Sequence, residues 1–176
     1  DKNGKPVSIL GVSRDISERK KAEAAIRESE ARYRMLAENI SEAIYVIDIQ
    51  AMKHIYASPS HLQMYGYTPE EFMRLPFDKM MTPDSLNRTL QTIAQEIEIE
   101  REPGTDPNRH VTLELEVYKK DGSTIWVETS ARLVQRDASG KPLAVLGVAR
   151  DITGRKMVEQ AIRASEARYR MLAENI

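Results

Sequence analysis

The sequence predicts an α+β fold in which helices cover one face of an antiparallel sheet. The first observation is an alternation of apolar and polar residues, which predicts two strands in residues 43–58 and three in residues 110–151. The second is helical spacing with helix-start signals in residues 60–102, between the two groups of strands. The third is the tight turns that join successive strands within each group. This order favours a sheet that is split in sequence and carries its helices on one side.

The individual elements follow from local signals. The strands are predicted, in chain order, at residues 43–49, 53–58, 110–119, 123–135 and 141–151. The helices between them are predicted at residues 60–65, 69–75 and 82–102. Pro59 ends the second strand, while Thr68 and Pro69 supply an N-cap and a first helical residue. Asp121 and Gly122 form a hairpin turn, because this pair tolerates the positive φ angles that such turns need.

Two side-chain patterns indicate which faces are buried. The longest helix carries an apolar stripe of Leu86, Leu90, Ile93 and Ile97, which we expect to face the sheet. Trp126 lies between polar neighbours on its strand and is expected on the outer face of the sheet, against a flanking helix or a partner.

The two ends of the chain repeat each other. Residues 1–40 and 137–176 align without a gap, with 28 identities in 40 positions. Two explanations stay open: a stretch of a tandem array of similar units, which we favour, or a lone duplicated flank. The array predicts four segments: the last strand of a preceding unit (1–16), a connecting helix (17–40), one complete unit (41–152) and a helix leading to a next unit (153–176). The strand at 5–14 nearly repeats 141–150, so we expect it to pair at a sheet edge of a neighbouring chain or to compete for the place of the final strand.

Both repeated helices have the spacing of a coiled-coil seam. In the second copy the seam residues are Val158, Ile162, Ser165, Tyr169, Leu172 and Ile176. The prediction is a homodimer through the flanking helices, and the alternative is an amphipathic helix lying on its own domain.

Composition excludes several classes of function. The 26 Lys and Arg balance 27 Asp and Glu, so no basic excess indicates a nucleic-acid partner. The chain has no cysteine, which excludes disulfides, thiolate metal sites and a cysteine nucleophile. No apolar run approaches the roughly 20 residues that span a bilayer, and no two histidines have metal-ligand spacing. No glycine-rich phosphate loop or other catalytic motif occurs, so no enzymatic activity is predicted.

Five short motifs, in this order and spacing, identify a family. They are YASPS at 56–60, GYTPEEF at 66–72, KDGS at 120–123, WVE at 126–128 and GVARDITGRK at 147–156. Over residues 30–156 the chain resembles the PAS domain family, including the PAC motif that ends it. The resemblance implies a five-stranded antiparallel sheet with a helical layer enclosing a small cavity, flanked by N- and C-terminal signalling helices.

The resemblance also implies a function: a sensory or relay module of a bacterial or archaeal signalling protein, such as a sensor histidine kinase or diguanylate cyclase. A small ligand in the cavity would change the packing of the sheet, and a coiled-coil exit helix would pass that change on. The alternative is a ligand-free dimerisation and spacer module. Adjacent PAS units and an output domain are the expected partners, without nucleic acid or membrane, and the expected location is cytoplasmic.

The candidate site has two parts. The residues expected at the ligand cavity are Tyr45, Tyr56, His61, Met64, Tyr65, Phe72, Leu90, Ile93, Leu115 and Thr129. The residues expected at the joint between sheet and exit helix are Asp151, Thr153 and Arg155, with Asp151 pairing with an arginine or with loop amides and Thr153 capping the helix.

The cofactor remains unknown. Haem-binding PAS domains use a histidine on the long central helix, and residues 82–102 contain none, which disfavours haem although a lone His61 ligand stays open. The photosensor branch needs a cysteine for its flavin adduct and this chain has none, which leaves reversible flavin binding open.

Overall fold

A computed structural model of the protein describes residues 14–39, 41–106 and 108–173. The chain divides into two compact units, residues 1–36 and residues 37–176. Residues 5–13 of the predicted N-terminal strand lie outside the described residues, so its pairing stays a prediction.

Helices and strands follow the predicted order. The first unit is described mainly through α1 (Ser17–Asn39). The later elements are β1 (Ala43–Asp48), β2 (Lys53–Ala57), α2 (His61–Tyr65), α3 (Pro69–Arg74), α4 (Pro83–Ile99), β3 (Val111–Tyr118), β4 (Thr124–Arg136), β5 (Pro142–Asp151) and α5 (Thr153–Ala173). A single 3-10 turn at Phe77–Lys79, which the sequence pattern did not predict, precedes α4. Within the described ranges, no helix is both long and apolar enough to cross a bilayer.

The strands of the described residues form one antiparallel sheet in the order β2-β1-β5-β4-β3. β5 lies at the centre because it pairs with β1 on one side and with β4 on the other. The strands before and after the helices therefore meet along the β1–β5 ladder, and the predicted split sheet is confirmed. The register sets Tyr45 opposite Gly147 and Thr129 opposite Ala149, which brings side chains of three strands to one place.

Helix α3 begins at a capping box. Thr68 Oγ1 accepts a hydrogen bond from the Glu71 amide at 3.3 Å, and Glu71 Oε2 accepts one from the Thr68 amide at 3.1 Å. Pro69 occupies the first turn, as predicted. Lys120, from the turn between β3 and β4, approaches the Glu71 carboxylate to 2.7 Å and ties the helical layer to that turn.

Backbone hydrogen bonds attach the segment before α4 to the edge strand β3. The Thr82 amide donates to the Glu116 carbonyl at 3.1 Å, and the Tyr118 amide donates to the Met80 carbonyl at 3.0 Å. The segment thereby satisfies backbone groups that an edge strand would leave open. The helical layer is fastened along β3 and closes one side of the space above the sheet.

Strand β2 contains a β-bulge that changes which side chains face the helices. Val46 of β1 pairs with Tyr56, whereas the next residue, Ile47, pairs with His54, so Ile55 is the extra residue. His54 is consequently buried at 8% exposure, while Tyr56 is 41% exposed.

Two ion pairs hold the C-terminal half of α4. Arg109 donates to Glu96 Oε2 through its Nε at 3.1 Å and through Nη2. Arg136 of β4 pairs with Glu100 at the end of the helix. Both pairs are partly buried, with side chains that are 13–31% exposed, and they anchor α4 over one end of the sheet.

Candidate functional site

A cavity of about 110 Å³ lies between the inward face of the sheet and the helical layer. Its wall is mostly hydrocarbon and comes from all five strands, from α2, α3 and α4 and from the segment between α3 and α4. Val127 and Thr129 of β4 form part of its floor, and Thr89, Thr92 and Ile93 of α4 form part of its roof.

Six of the ten predicted cavity residues line it, namely Tyr45, Tyr65, Phe72, Ile93, Leu115 and Thr129. Met64 is half-buried against the core but does not reach the cavity. His61 is fully buried behind the wall, and Tyr56 and Leu90 lie on the outside at 41% and 42% exposure.

The expectation for Tyr56 was wrong because of the bulge in β2. Strict alternation would turn His54 and Tyr56 to the same face, but the extra residue Ile55 reverses the direction of Tyr56. His54 is thus the side chain that β2 contributes to the cavity, and the sequence pattern did not single it out.

The expectation for Leu90 was wrong because the inward face of α4 is rotated from the predicted stripe: Ile93 lines the cavity and Leu86 packs on the core, but Leu90 is exposed. Ser85 and Thr89 are buried, and Thr92 continues the same stripe one turn later. Thr89 Oγ1 donates to the Ser85 carbonyl at 2.8 Å, and Ser85 Oγ accepts from the Glu116 amide at 2.8 Å. Small hydroxyl residues allow α4 to approach β3 closely, which the larger leucine side chain would not. Their hydroxyl groups are satisfied by these hydrogen bonds. The signal in the sequence was the spacing 85, 89, 92 of these residues.

His54 lies within an aromatic cluster on the cavity wall. Its ring centroid is 4.9 Å from that of Phe72, 5.5 Å from that of Tyr45 and 5.9 Å from that of Phe77. Burial, with a smaller contribution from nearby His61, lowers the pKa of His54 to about 4, so the ring is neutral at neutral pH. Among the described residues, none makes a hydrogen bond to His54 Nδ1.

His61 belongs to a polar network beneath the cavity. Its Nδ1 donates to the Ser58 carbonyl at 2.9 Å, and Ser58 Oγ accepts from the Ile44 amide at 2.9 Å. Burial lowers the pKa of His61 to about 4. The network joins β1, the end of β2 and the start of α2, so His61 positions the wall and does not touch the cavity. In the part of the chain that the structure describes, no three His, Asp or Glu side chains converge as metal ligands would.

The Tyr45 ring crosses the sheet toward Thr129. Tyr45 Oη and Thr129 Oγ1 are 2.5 Å apart and form a hydrogen bond. Burial raises the pKa of the Tyr45 phenol, which is therefore protonated. Gly147 permits this path, because a Cβ atom built there would lie 2.2 Å from the tyrosine ring.

The joint between β5 and α5 is built by Asp151 and Thr153. Asp151 Oδ1 accepts a hydrogen bond from the Thr153 amide at 2.8 Å. Of the two predicted kinds of partner, a backbone amide or an arginine, the carboxylate thus pairs with the amide. Thr153 Oγ1 accepts from the Trp126 amide at 3.0 Å and is therefore bonded to β4 instead of capping its own helix. The Ile152 amide also donates to the Trp126 carbonyl, at 2.9 Å. The joint is thus fastened to β4 through both the amide and the carbonyl of Trp126.

Charged residues hold the first turn of α5 on the outer face of the sheet. Arg155 approaches Glu114 to 2.7 Å and Glu128 to 3.2 Å. Lys156 pairs with Glu114 and lies 5.1 Å above the Trp126 ring. The predicted outward position of Trp126 is confirmed, and its cover is the exit helix itself.

The seam residues of α5 whose side chains the structure describes are exposed. Val158 is 60% and Ile162 is 53% exposed. The side chains of Tyr169 and Leu172 lie outside the described part of the chain, as does Ile176. The coiled-coil dimer therefore stays a prediction.

Comparison of sequences identifies the family. The model of the PAS fold matches residues 54–149, more than half of the 176 residues. A methyl sulfide methyltransferase-associated sensor of Methanosarcina acetivorans is 27% identical over 153 residues, which are 85% of this chain and 14% of that protein. The sensor histidine kinase TmoS of Ectopseudomonas mendocina is 24% identical over 138 residues, 78% of this chain and 13% of that protein. The chain thus spans only about one seventh of the length of these relatives.

Comparison of structures agrees on the fold. A sensory box histidine kinase/response regulator from Burkholderia thailandensis superposes with a TM-score of 0.60 at 22% identity, covering 80% of this chain and 98% of that one. An RNA-binding Light-Oxygen-Voltage receptor superposes with a TM-score of 0.62 at 21% identity, covering 82% of this chain and 38% of that one.

Three observations indicate the same family. They are the five-stranded sheet in the order 2-1-5-4-3, the cavity under a helical layer and the family match over residues 54–149. The chain belongs to the PAS fold family, whose members serve as sensor domains in signalling proteins such as histidine kinases and diguanylate cyclases.

Proposed function

We propose that this chain is a sensory relay module that binds a small molecule in its cavity and transmits the change to helix α5. The observation that carries the proposal is the double role of strand β4. Val127 and Thr129 line the cavity, whereas Trp126, on the opposite face, holds the start of α5 through two backbone contacts. A ligand that shifts β4 therefore acts directly on the support of the exit helix.

The proposed mechanism is a shift between two packings of the exit helix. The first turn of α5 is held by two hydrogen bonds at Trp126 and by ion pairs of Arg155 and Lys156. These contacts are polar and half-exposed, so two arrangements can lie close in free energy. A ligand changes their populations only as far as it binds one arrangement more tightly.

The parent of this module is proposed to be a longer cytoplasmic signalling protein with an output domain such as a kinase or cyclase. The exposed Val158 and Ile162 support a homodimer through the flanking helices, and the repeat of residues 1–40 supports neighbouring PAS units. Catalysis would belong to the output domain and not to this module. A ligand-free spacer remains the competing role, and the cavity between the sheet and the helical layer favours the sensor.

Asp151→Ala is the experiment that tests the joint. Removing the carboxylate frees the Thr153 amide, and a lost end contact of this kind is worth about 1 kcal/mol. We expect hydrogen exchange in the first turn of α5 to accelerate about fivefold. In a longer protein that carries this chain, the response of output to stimulus should fall with it.

Asp15→Ala is the matched control, because the same contact occurs in the first copy of the repeat. Asp15 Oδ1 accepts from the Ser17 amide at 2.8 Å, the same length as at Asp151. This variant should loosen the start of α1 and leave exchange in α5 unchanged. An unaltered output response in the Asp151 variant would overturn the role of the joint.

A further inference from the structure

We propose that Glu114 couples helix α4, which roofs the cavity, to the exit helix α5, so that the edge strand β3 carries a second route to the joint beside β4. The inference rests on the proposed function, since it names a residue that positions the same exit helix. The carboxylate of Glu114 is bonded to α5, its carbonyl group is bonded to α4, and its two neighbours in sequence line the cavity.

The side chain of Glu114 lies on the outer face of the sheet. Leu113 and Leu115, before and after it, line the cavity, and successive side chains of a strand point to opposite faces. Glu128 of β4 stands directly opposite Glu114 in the register. Like charges directly opposite each other destabilise a strand pair, so cations bound at this place stabilise the sheet.

The Glu114 carboxylate offers one oxygen to each of two cations at the start of α5. Oε1 accepts from Arg155 Nη2 at 2.7 Å, and Oε2 pairs with Lys156 Nζ. Arg155 also reaches Glu128, at the longer distance of 3.2 Å. The hydrogen bond from Lys156 and the nearby positive charges lower the pKa of Glu114, so the carboxylate is ionised at neutral pH. Glu114 is thus the acid that holds both cations of the first turn.

The backbone of the same residue is bonded to α4. Arg88 Nη1 donates to the Glu114 carbonyl at 2.9 Å. Arg88 lies next to Thr89, which lines the cavity together with Ile93. Because β3 has a neighbouring strand on one side only, α4 and the segment before it occupy its other edge. A ligand that displaces α4 therefore also displaces β3 at Glu114.

The nearby acids do not make the same connection. Within the described ranges, Glu114 is the residue whose own bonds join α4 to α5. Glu116, two residues further along β3, accepts from Thr124 Oγ1 and is not bonded to α5. Glu128 binds Arg155 of α5 and has no bond to α4 among the described contacts. The route through β3 therefore depends on one side chain that can be changed alone.

Two signals of the native chain report whether α5 is seated on the sheet. The Lys156 amide donates to the Ile152 carbonyl at 3.0 Å, so its hydrogen exchange reports opening of the first turn. Trp126 is the single tryptophan of the sequence, and Lys156 Nζ lies 5.1 Å above its ring. The indole 1H–15N resonance of Trp126 therefore senses the position of that lysine. Arg88 belongs to the helical layer, on the opposite face of the sheet from both signals.

Glu114→Gln and Arg88→Met, alone and together in the full chain, test the route. Glu114→Gln keeps the size of the side chain and removes its charge, and we expect exchange of the Lys156 amide to accelerate about threefold. Arg88→Met removes the bond from α4, and it should accelerate the same exchange about twofold and shift the Trp126 indole resonance. In the double variant, exchange should equal that of Glu114→Gln alone, because residues on one route act non-additively.

Glu116→Gln and Arg101→Met are the matched controls. Glu116 lies on the same strand and face, with its carboxylate bonded to Thr124 Oγ1 at 2.7 Å. Arg101 pairs with Glu98 near the end of α4 at 2.7 Å. Neither variant should change the exchange rate in the first turn of α5. Acceleration in the controls as large as in the test variants would show a general loosening of the fold and would overturn the inference.

The remaining outcomes separate this inference from the proposed function. Unchanged exchange in Glu114→Gln or in Arg88→Met, or an effect of Arg88→Met that is as large in the Glu114→Gln background as alone, would overturn the route through β3. The relay through β4 would then stand, because its own test is the response of output in Asp151→Ala. An unaltered response there, together with the expected exchange rates here, would leave the contact between α4 and α5 in place and remove its role in signalling.

Discussion

Gly147→Ala is expected to destabilise the fold by about 3 kcal/mol, which is large against the total stability of a domain of this size. A Cβ atom at this position would lie 2.2 Å from Cζ of Tyr45 and 2.4 Å from its hydroxyl oxygen. The methyl group would displace the Tyr45 ring and separate its hydroxyl from Thr129. The expected cost combines overpacking, about 1–3 kcal/mol, with the loss of one buried hydrogen bond of about 1 kcal/mol.

Urea denaturation measures the free energy of unfolding for this variant and its controls. Gly154→Ala is the matched control, since a Cβ atom there meets nothing within 4 Å and alanine is the better helix former. The control should unfold at the same or a slightly higher urea concentration. Tyr45→Ala removes the ring that clashes, so Gly147→Ala should cost far less in that background. If Gly147→Ala lowers the free energy of unfolding equally in both backgrounds, the glycine acts through the β5 backbone and not through Tyr45.

The sheet could be predicted from the sequence because its determinants are local. Alternation in residues 111–117 and the Asp-Gly turn at residues 121–122 fix strands and hairpin without knowledge of the rest of the chain. The start of α3 was equally local, since Thr68, Pro69 and Glu71 form its cap within four residues. The central place of β5 could not be predicted in this way, because two ladders between strands far apart in sequence decide it.

The cavity was predicted only in part because two of its walls depend on long-range packing. The bulge at Ile55 turns Tyr56 away from the cavity that His54 lines, and alternation alone cannot show an extra residue. On α4, threonine and serine face the sheet while Leu90 faces out, because the hydroxyls find partners there. Hydrophobic spacing selects the most apolar face, and here a less apolar face fits the sheet more closely.

The joint illustrates a third limit. Asp151, Thr153 and Arg155 were singled out from the motif, but the partners of Thr153 and Arg155 come from β3 and β4, far away in sequence. Arg155 has two carboxylates on the outer face of the sheet as partners, and so it does not turn back to Asp151. Charge alone could not identify the partners of Arg155, since the chain contains 27 Asp and Glu residues.

The free energy of unfolding is expected to fall by about 4 kcal/mol between pH 7.5 and pH 5.0, because the buried histidines are protonated in the unfolded chain but stay neutral in the folded one. His54 and His61 have a pKa of about 4 in the folded chain, against an ordinary value of 6.5. Between these values the unfolded state binds more protons, so stability is fully present above about pH 6.5 and is lost as pH falls toward 4. Each histidine contributes a slope of about 1.4 kcal/mol per pH unit within this window.

Urea denaturation at pH 7.5 and pH 5.0 measures this loss. Both pH values lie above the range in which protonation of carboxylates dominates the pH dependence of stability. The lowered pKa values of Glu71 and Glu114 come from hydrogen bonds to lysines and affect stability only at lower pH. His54→Phe should halve the difference between the two pH values, because one of the two buried rings no longer titrates. A free energy of unfolding that is flat across this range would mean that the two buried rings have the same pKa values in the folded and the unfolded chain, and would contradict their neutral, desolvated state in the fold.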